Sequence, residues 1–290
     1  MSAKFPFKKY IYSKKIMEGR IRGFCSSRAW QYTAANVLKN KLSFNGLKIA
    51  EIGCGTGTFA LTFRLLGAEA TLIDNDPEAL EVAKGIFGLY NQKAVFIQAD
   101  VLGERKLADL KGKFDLVVSC GLAEHFKAEE RQRCFDYHYQ LLKKGGIAYI
   151  GVPNRLSFPY QAVKLFRKLS RTWDIEIEKP FTYWELINRA RKVNLHSYKI
   201  IGGHSLMKDI ENYSLGLVSA FLNLCPYGWR QRIKDLKNNR LNSKIQTEDA
   251  SSIVHRNLLY VSQHREEILT KPSSFIDNYL SAGIVLIGIA

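Results

Sequence analysis

The sequence predicts an α/β fold, a doubly wound, mostly parallel sheet with helices on both faces. Three observations carry that prediction. Residues 48–59, KIAEIGCGTGTF, run from an apolar stretch into glycines at alternate positions, Gly53, Gly55 and Gly57, and then directly into a helical pattern. Strand-length apolar runs alternate with helix-length patterns through the first half of the chain. Those runs are apolar almost throughout rather than at every second residue, which marks strands covered on both faces.

The elements follow in order. Residues 26–42 have Trp30, Ala34, Val37 and Leu38 at three-to-four spacing, and Ser26 or Ser27 can cap a helix there. Strand 48–53 leads into helix 57–66, and strand 69–74 into helix 77–90, with Pro77 suited to a first helical position. Strands follow at 94–99 and 115–119, then a helix over 127–144 stopping at Gly145-Gly146, then strand 147–152. Beyond Pro153 the alternation breaks. An amphipathic helix is expected around Tyr160–Leu169, with Lys164, Arg167 and Lys168 on or beside it. Another helix is expected over 181–193, a strand near 198–202, a mostly helical insertion over 207–270 and a last strand near 283–289. No internal repeat or low-complexity linker interrupts the chain. One domain is expected: a basic cap over 1–45, a cofactor-binding core over 46–154, insertions at 155–180 and 207–270, and a last strand within 281–290.

Composition narrows the class. With 290 residues, 46% of them hydrophobic, the chain can bury a large core. Its five cysteines are scattered without short pair spacing, which points to a reducing, cytoplasmic setting and away from a zinc site. The basic N-terminus has no long apolar stretch behind it and reads as no secretory signal. The apolar run AGIVLIGIA suits a buried strand and is too short to span a bilayer. The net charge of +16 is uneven: residues 1–46 carry +9, residues 47–155 carry 0 and residues 156–290 carry +7.

A strand, a glycine turn and a helix build a nucleoside site in a parallel sheet, because positive φ lets the backbone approach the ligand. A nicotinamide fingerprint needs glycine or alanine where Thr58 stands. The chain instead reads E-x-G-x-G-x-G from Glu51, and this resembles the class I S-adenosylmethionine-dependent methyltransferases. The resemblance covers about residues 28–154 and, loosely, the last strand. It implies a seven-stranded Rossmann-like sheet with an antiparallel last strand. It also implies that Glu51 and the Gly53–Gly57 turn hold the methionine part of S-adenosylmethionine. Asp74, 17 residues after Gly57, would accept from both ribose hydroxyls; a carboxylate suits a diol because its two oxygens take both donors. Asp100 would accept from the adenine amino group, with Val101 beside the ring, and Ser119 in FDLVVSCGLAEHF would face the cofactor. Asp76 reads as the cap of the helix that follows it.

For the chemistry, Glu124 and His125 stand at the carboxyl end of the fourth strand, and imidazole accepts a proton near neutral pH. A quinone-precursor O-methyltransferase subgroup with a similar Glu-His pair binds metal through an acid three residues earlier; here that position is Gly121, so no metal is expected. Asn154 reads first as closing a turn and second as orienting an acceptor. His204 reads as a surface or core histidine, Trp173 as a candidate pocket wall, and Tyr183 and Trp184 as packing their helix onto the sheet. The basic segments fall where the family builds its acceptor side, so the expected acceptor is a small, acidic molecule. Nucleic acid is not favoured, since no RNA-binding module accompanies the charge. The charge-free stretch 212–229, followed by Arg230, Arg232 and Lys234, allows peripheral membrane contact and a lipid-linked acceptor. The alternatives are a non-catalytic cofactor-binding subunit and an RNA or protein methyltransferase. Oligomeric state is not legible.

Overall fold

The computed structural model describes residues 13–41, 43–103, 108–169, 178–203, 248–272 and 281–290. Trp173, His204, the stretch 212–229 and most of the 207–270 insertion lie outside the described residues.

At the centre is β1 (Lys48–Ile52), an apolar strand with its last four residues buried. It pairs in parallel with β2 (Glu69–Asp74) on one side and β4 (Phe114–Cys120) on the other. Outward from β2 lies β3 (Val95–Gln98), and outward from β4 lie β5 (Leu142–Pro153), β7 (Gly283–Ile289) and β6 (His196–Gly202). The seven strands have the order β3-β2-β1-β4-β5-β7-β6, with β7 antiparallel to both neighbours. This is the expected mostly parallel sheet with an antiparallel last strand. Chain direction across the sheet reverses between β1 and β4, and a crevice opens there at the carboxyl ends of the strands.

Helices cover both faces. One core gathers α1 (Lys14–Cys25), α2 (Arg28–Asn40), α3 (Thr58–Arg64), α4 (Pro77–Leu89) and, from late in the chain, α8 (Ala250–Gln263), followed by the short α9 (Arg265–Thr270). The other gathers α5 (Ala128–Leu141) and α7 (Tyr183–Lys192) against β1, β4, β5 and β7. Between them in sequence, α6 (Phe158–Leu169) leaves the carboxyl end of β5.

Local chemistry sets the boundaries. Ser27 caps α2 by accepting from Trp30 N at 3.2 Å, and Thr182 caps α7 by accepting from Glu185 N at 3.1 Å. Asp76 caps α4 by accepting from Glu78 N at 2.9 Å, with Pro77 in its first turn. Trp30 is fully buried, stacks on Phe63 with centroids 5.6 Å apart, and donates its indole N–H to Thr62 Oγ1 at 2.9 Å. This bond satisfies the one polar group of a large core side chain.

Three sequence expectations need correction. The N-terminal segment is not only a basic cap: Met17, Ile21 and Cys25, four residues apart, bury one face of α1. The helix expected to run to residue 144 ends at Leu141, and β5 already begins at Leu142, which pairs with Phe114. The pairing resumes at Leu116 with Ile147, so residues 143–146 form an irregular excursion within β5. Gly145, at φ +76°, and Gly146 are fastened there to Ala290 by N–H···O bonds of 2.8 and 2.9 Å. Trp184 does not pack its helix onto the sheet; it is 63% exposed, whereas Tyr183 lies against the second core.

Candidate cofactor and acceptor site

The glycine turn is forced by its surroundings. Gly53, Gly55 and Gly57 all have positive φ, at +59°, +49° and +64°. A β-carbon at Gly53 would stand 2.5 Å from Leu122 Cδ1, and one at Gly57 would stand 2.2 Å from Leu72 Cδ2. Gly57 N donates to the Cys54 carbonyl at 2.7 Å, closing the turn. The chain is thereby laid across the ends of β1 and β2 as a cradle without side chains.

Two carboxyls brace this cradle. Glu51, at the end of β1 and 4% exposed, accepts from Ala60 N at 2.7 Å and so anchors the first turn of α3. Burial pushes its carboxyl up to about 8, and the nearby Asp74 charge adds to the rise. Asp74, at the end of β2 and 8% exposed, accepts from Gly55 N at 2.9 Å through Oδ2 and from Asp76 N at 3.0 Å through Oδ1. Its carboxyl is raised above the ordinary value by burial, against the pull of those main-chain donors. Each oxygen keeps a further lone pair for a ligand hydroxyl.

The remaining sequence candidates are placed as follows. Asp100 is exposed after β3, and its Oδ1 accepts from Leu102 N at 2.8 Å; Val101 is buried. Ser119 is fully buried within β4, and its hydroxyl lies 2.9 Å from His138 Nε2. His138 Nδ1 must carry a proton to donate to the Cys134 carbonyl at 2.8 Å, so Nε2 accepts from Ser119. Burial drives His138 down to about 4, consistent with that neutral tautomer. The Ser119 hydroxyl is therefore directed into the α5 core. Glu124 and His125 form a short 3-10 turn after β4; Glu124 is 3% exposed, and the His125 side chain is 31% exposed. Asn154 is buried, donates to the Ser281 carbonyl at 2.9 Å and accepts from Leu156 N at 3.0 Å, which closes the turn after β5.

Beside the cradle, the carboxyl ends of β4 and β5 and the start of β7 line an open cavity of about 250 Å³. Cys120, Gly121, Tyr149, Val152, Pro153 and Ile284 line it, and α6 contributes Tyr160. A strap at residues 178–181 crosses near its rim. Phe181 N donates to the Pro153 carbonyl at 3.0 Å and Lys179 N to the Glu124 carbonyl at 3.0 Å. Arg131, 5% exposed, pins that strap: its guanidinium lies 4.2 Å from the Phe181 ring centroid, donates to the Lys179 carbonyl and pairs with Glu185 at 2.9 Å. Arg131 and Lys164 were not singled out as site residues from the sequence. Their role depends on contacts 14 to 54 residues away, and no local pattern announces it.

The glycine cradle, the acid ending β2 and the order of the strands together have the Rossmann-like fold of the class I methyltransferases. Residues 49–146 match the family model described as "Methyltransferase domain". The ubiquinone biosynthesis O-methyltransferase of Schizosaccharomyces pombe is 32% identical over 111 residues, 37% of this chain and 37% of that protein. The ribosomal protein L11 methyltransferase of Thermotoga neapolitana is 39% identical over 80 residues, 27% of this chain and 28% of that protein. The chain thus spans little more than a third of the first relative and little more than a quarter of the second. The crystal structure of a SAM dependent methyltransferase from Archaeoglobus fulgidus superimposes with a TM-score of 0.51 at 14% identity, covering 98% of this chain and 97% of that one. That likeness is one of fold.

Proposed function

We propose that the chain transfers a methyl group from S-adenosylmethionine to an oxygen or nitrogen of a small acceptor, anionic or lipid-linked. The observation that carries this reading is the meeting of Glu51, the side-chain-free turn and Asp74 at the sheet's switch point, beside a cavity of about 250 Å³. The residues fit the cofactor. Gly53, Gly55 and Gly57 leave room for its amino-acid tail, the spare lone pairs of Asp74 suit a ribose diol, and Asp100 with Val101 suit an adenine edge and face. Asp74 supplies negative potential for a cationic ligand. Ser119 contributes no hydroxyl contact, because that group is bonded to His138.

S-adenosylmethionine supplies a methyl already activated by its sulfonium. The protein's work is then to hold the acceptor in line and to exclude water. Leu122 over Gly53 and the strap over the β4 and β5 ends serve the second purpose. His125, at the partly open edge of the crevice, and Glu124, in its wall, are the candidate proton acceptors. We read residues 1–45, 155–180 and 207–270 as acceptor-side elaborations of one domain, working in the cytoplasm.

The two sequence relatives bear names with different acceptors, a quinone precursor pathway and a ribosomal protein, so the acceptor is assigned from this chain's own charge. Calorimetry with S-adenosylhomocysteine and with NAD(H) tests the cofactor. Binding of the first and not the second is expected, and the reverse overturns the reading. Labelled S-adenosylmethionine incubated with fractionated cell extract tests the acceptor: label in small anions or lipid supports it. Label confined to RNA or protein, or cofactor binding without transfer to any fraction, overturns it.

A further inference from the structure

Behind the Gly121 and Tyr160 side of the cavity lies a buried group of charges in which one carboxyl is unmatched. Lys164 Nζ lies 3.1 Å from Glu178 Oε2 and donates to the Glu178 carbonyl at 3.0 Å and to the Tyr160 hydroxyl at 3.4 Å. Arg131 and Arg189 both pair with Glu185, at 2.9 and 3.1 Å. Glu124 lies among these cations yet pairs with none of them. Its Oε1 is 4.0 Å from His125 Nε2, and its enclosed Oε2 makes no hydrogen bond among the described residues. A buried acceptor left without a partner costs stability, and such atoms mark places where a ligand or water completes the set.

The other oxygen, Oε1, lies next to Gly121. A β-carbon built at Gly121 would stand 3.4 Å from Glu124 Oε1, so a side chain there would touch that oxygen. Gly121 itself forms part of the cavity wall. Burial pushes the Glu124 carboxyl up to about 8, with Glu178 raising it and Arg131 and Lys164 opposing. A carboxyl so placed can accept from a hydroxyl or an amine.

We propose that Glu124 recognises the protic head of the acceptor, a hydroxyl or amine entering the cavity past Gly121, with the Tyr160 hydroxyl held opposite by Lys164. The inference rests on the methyltransferase reading of this crevice and deepens it. Because Lys164 is already matched by Glu178, an anionic group of the acceptor stays outside the cavity, and the end that enters is uncharged or cationic on a largely apolar body.

The test titrates phenol and anisole, which differ by replacement of the hydroxyl proton with a methyl, into protein saturated with S-adenosylhomocysteine. Binding is read by calorimetry. Phenol is expected to bind at least about tenfold more tightly than anisole, the margin for one buried hydrogen bond. In Glu124→Leu that preference is expected to disappear while S-adenosylhomocysteine affinity is retained. Should that variant not fold, Glu124→Ala and Tyr160→Phe give the same comparison. Equal binding of the two probes by the unaltered protein, no phenol binding, or a preference that survives loss of the carboxyl overturns the inference and leaves the cofactor reading standing. Failure of S-adenosylhomocysteine to bind at the outset overturns both.

Discussion

If Asp74 grips a ribose diol, its replacement must cost cofactor affinity beyond any damage to the loop it braces. Its carboxylate accepts two main-chain bonds, from Gly55 N at 2.9 Å and Asp76 N at 3.0 Å, and both are lost in Asp74→Ala. A hydrogen bond to a charged group contributes roughly 1.5–3 kcal/mol. Losing one such bond to the ligand lowers affinity roughly tenfold to a hundredfold, since about 1.4 kcal/mol is a factor of ten. Asp74→Asn keeps the shape and turns one acceptor into a donor that faces an N–H, so it should fall near the lower end. Asp76→Ala is the control. It removes the α4 cap, a bond of 2.9 Å to Glu78 N, and costs about 1 kcal/mol of stability with no group withdrawn from the diol. Calorimetric titration with S-adenosylhomocysteine, beside thermal melts of all three variants, separates the two roles. Unchanged affinity in Asp74→Ala, or an equal loss in Asp76→Ala, would refute the reasoning.

Other outcomes follow from the same geometry. Glu51 is raised from 4.5 to about 8 on folding, so the native state holds a proton that the unfolded chain releases, and stability is lost as pH rises through that window. Urea midpoints of Glu51→Gln should therefore fall less steeply with pH than those of the unaltered protein, by up to about 1.4 kcal/mol per pH unit; parallel curves would remove the argument. Gly57→Ala meets Leu72 at 2.2 Å from a φ of +64° and should lose roughly 2–4 kcal/mol, measured by chemical denaturation. Ser119→Ala leaves His138 Nε2 unpaired and should cost about 1–3 kcal/mol with S-adenosylhomocysteine affinity intact. Arg167→Glu with Lys168→Glu should leave that affinity intact as well, but reduce labelling of the anionic fraction of a cell extract; undiminished labelling would detach those cations from acceptor binding.

The first half of the sheet was legible because its signals are local. Strand 69–74 and the start of the next helix at Pro77 were read to the residue, since an apolar run, an aspartate cap and a proline lie side by side. The onset of β5 was not legible, because Leu142 joins the sheet through its pairing with Phe114, and the glycines that usually stop a helix lie inside the strand. The first helix was hidden by its charges: Lys14, Lys15, Arg20 and Arg22 drew the reading towards a basic cap, while Met17, Ile21 and Cys25 kept the four-residue spacing that buries it. Lys164 is the sharpest case. Beside Arg167 and Lys168 it reads as part of the solvated face of an amphipathic helix, yet it is 9% exposed and matched by Glu178.

That burial changes what the net charge means. The +7 of residues 156–290 already counts every carboxylate of the segment, and Lys164, Arg189, Arg256 and Lys271 each face one of them at 2.9–3.4 Å, so the surplus resides on other side chains. Paired charges contribute little to the field at a distance, and exposed ones are further screened by salt. Among the described residues, Arg155 on the turn after β5, Arg167 and Lys168 at the end of α6 and Lys179 on the strap are exposed. The cavity wall itself holds Tyr149, Val152 and Pro153, with the Glu124 carboxyl next to Gly121. An acceptor with a negative group at one end and an uncharged nucleophile at the other satisfies both regions at once. A compact dianion would have to bring its charge against the Glu124 and Glu178 carboxyls, with their nearby cations already engaged.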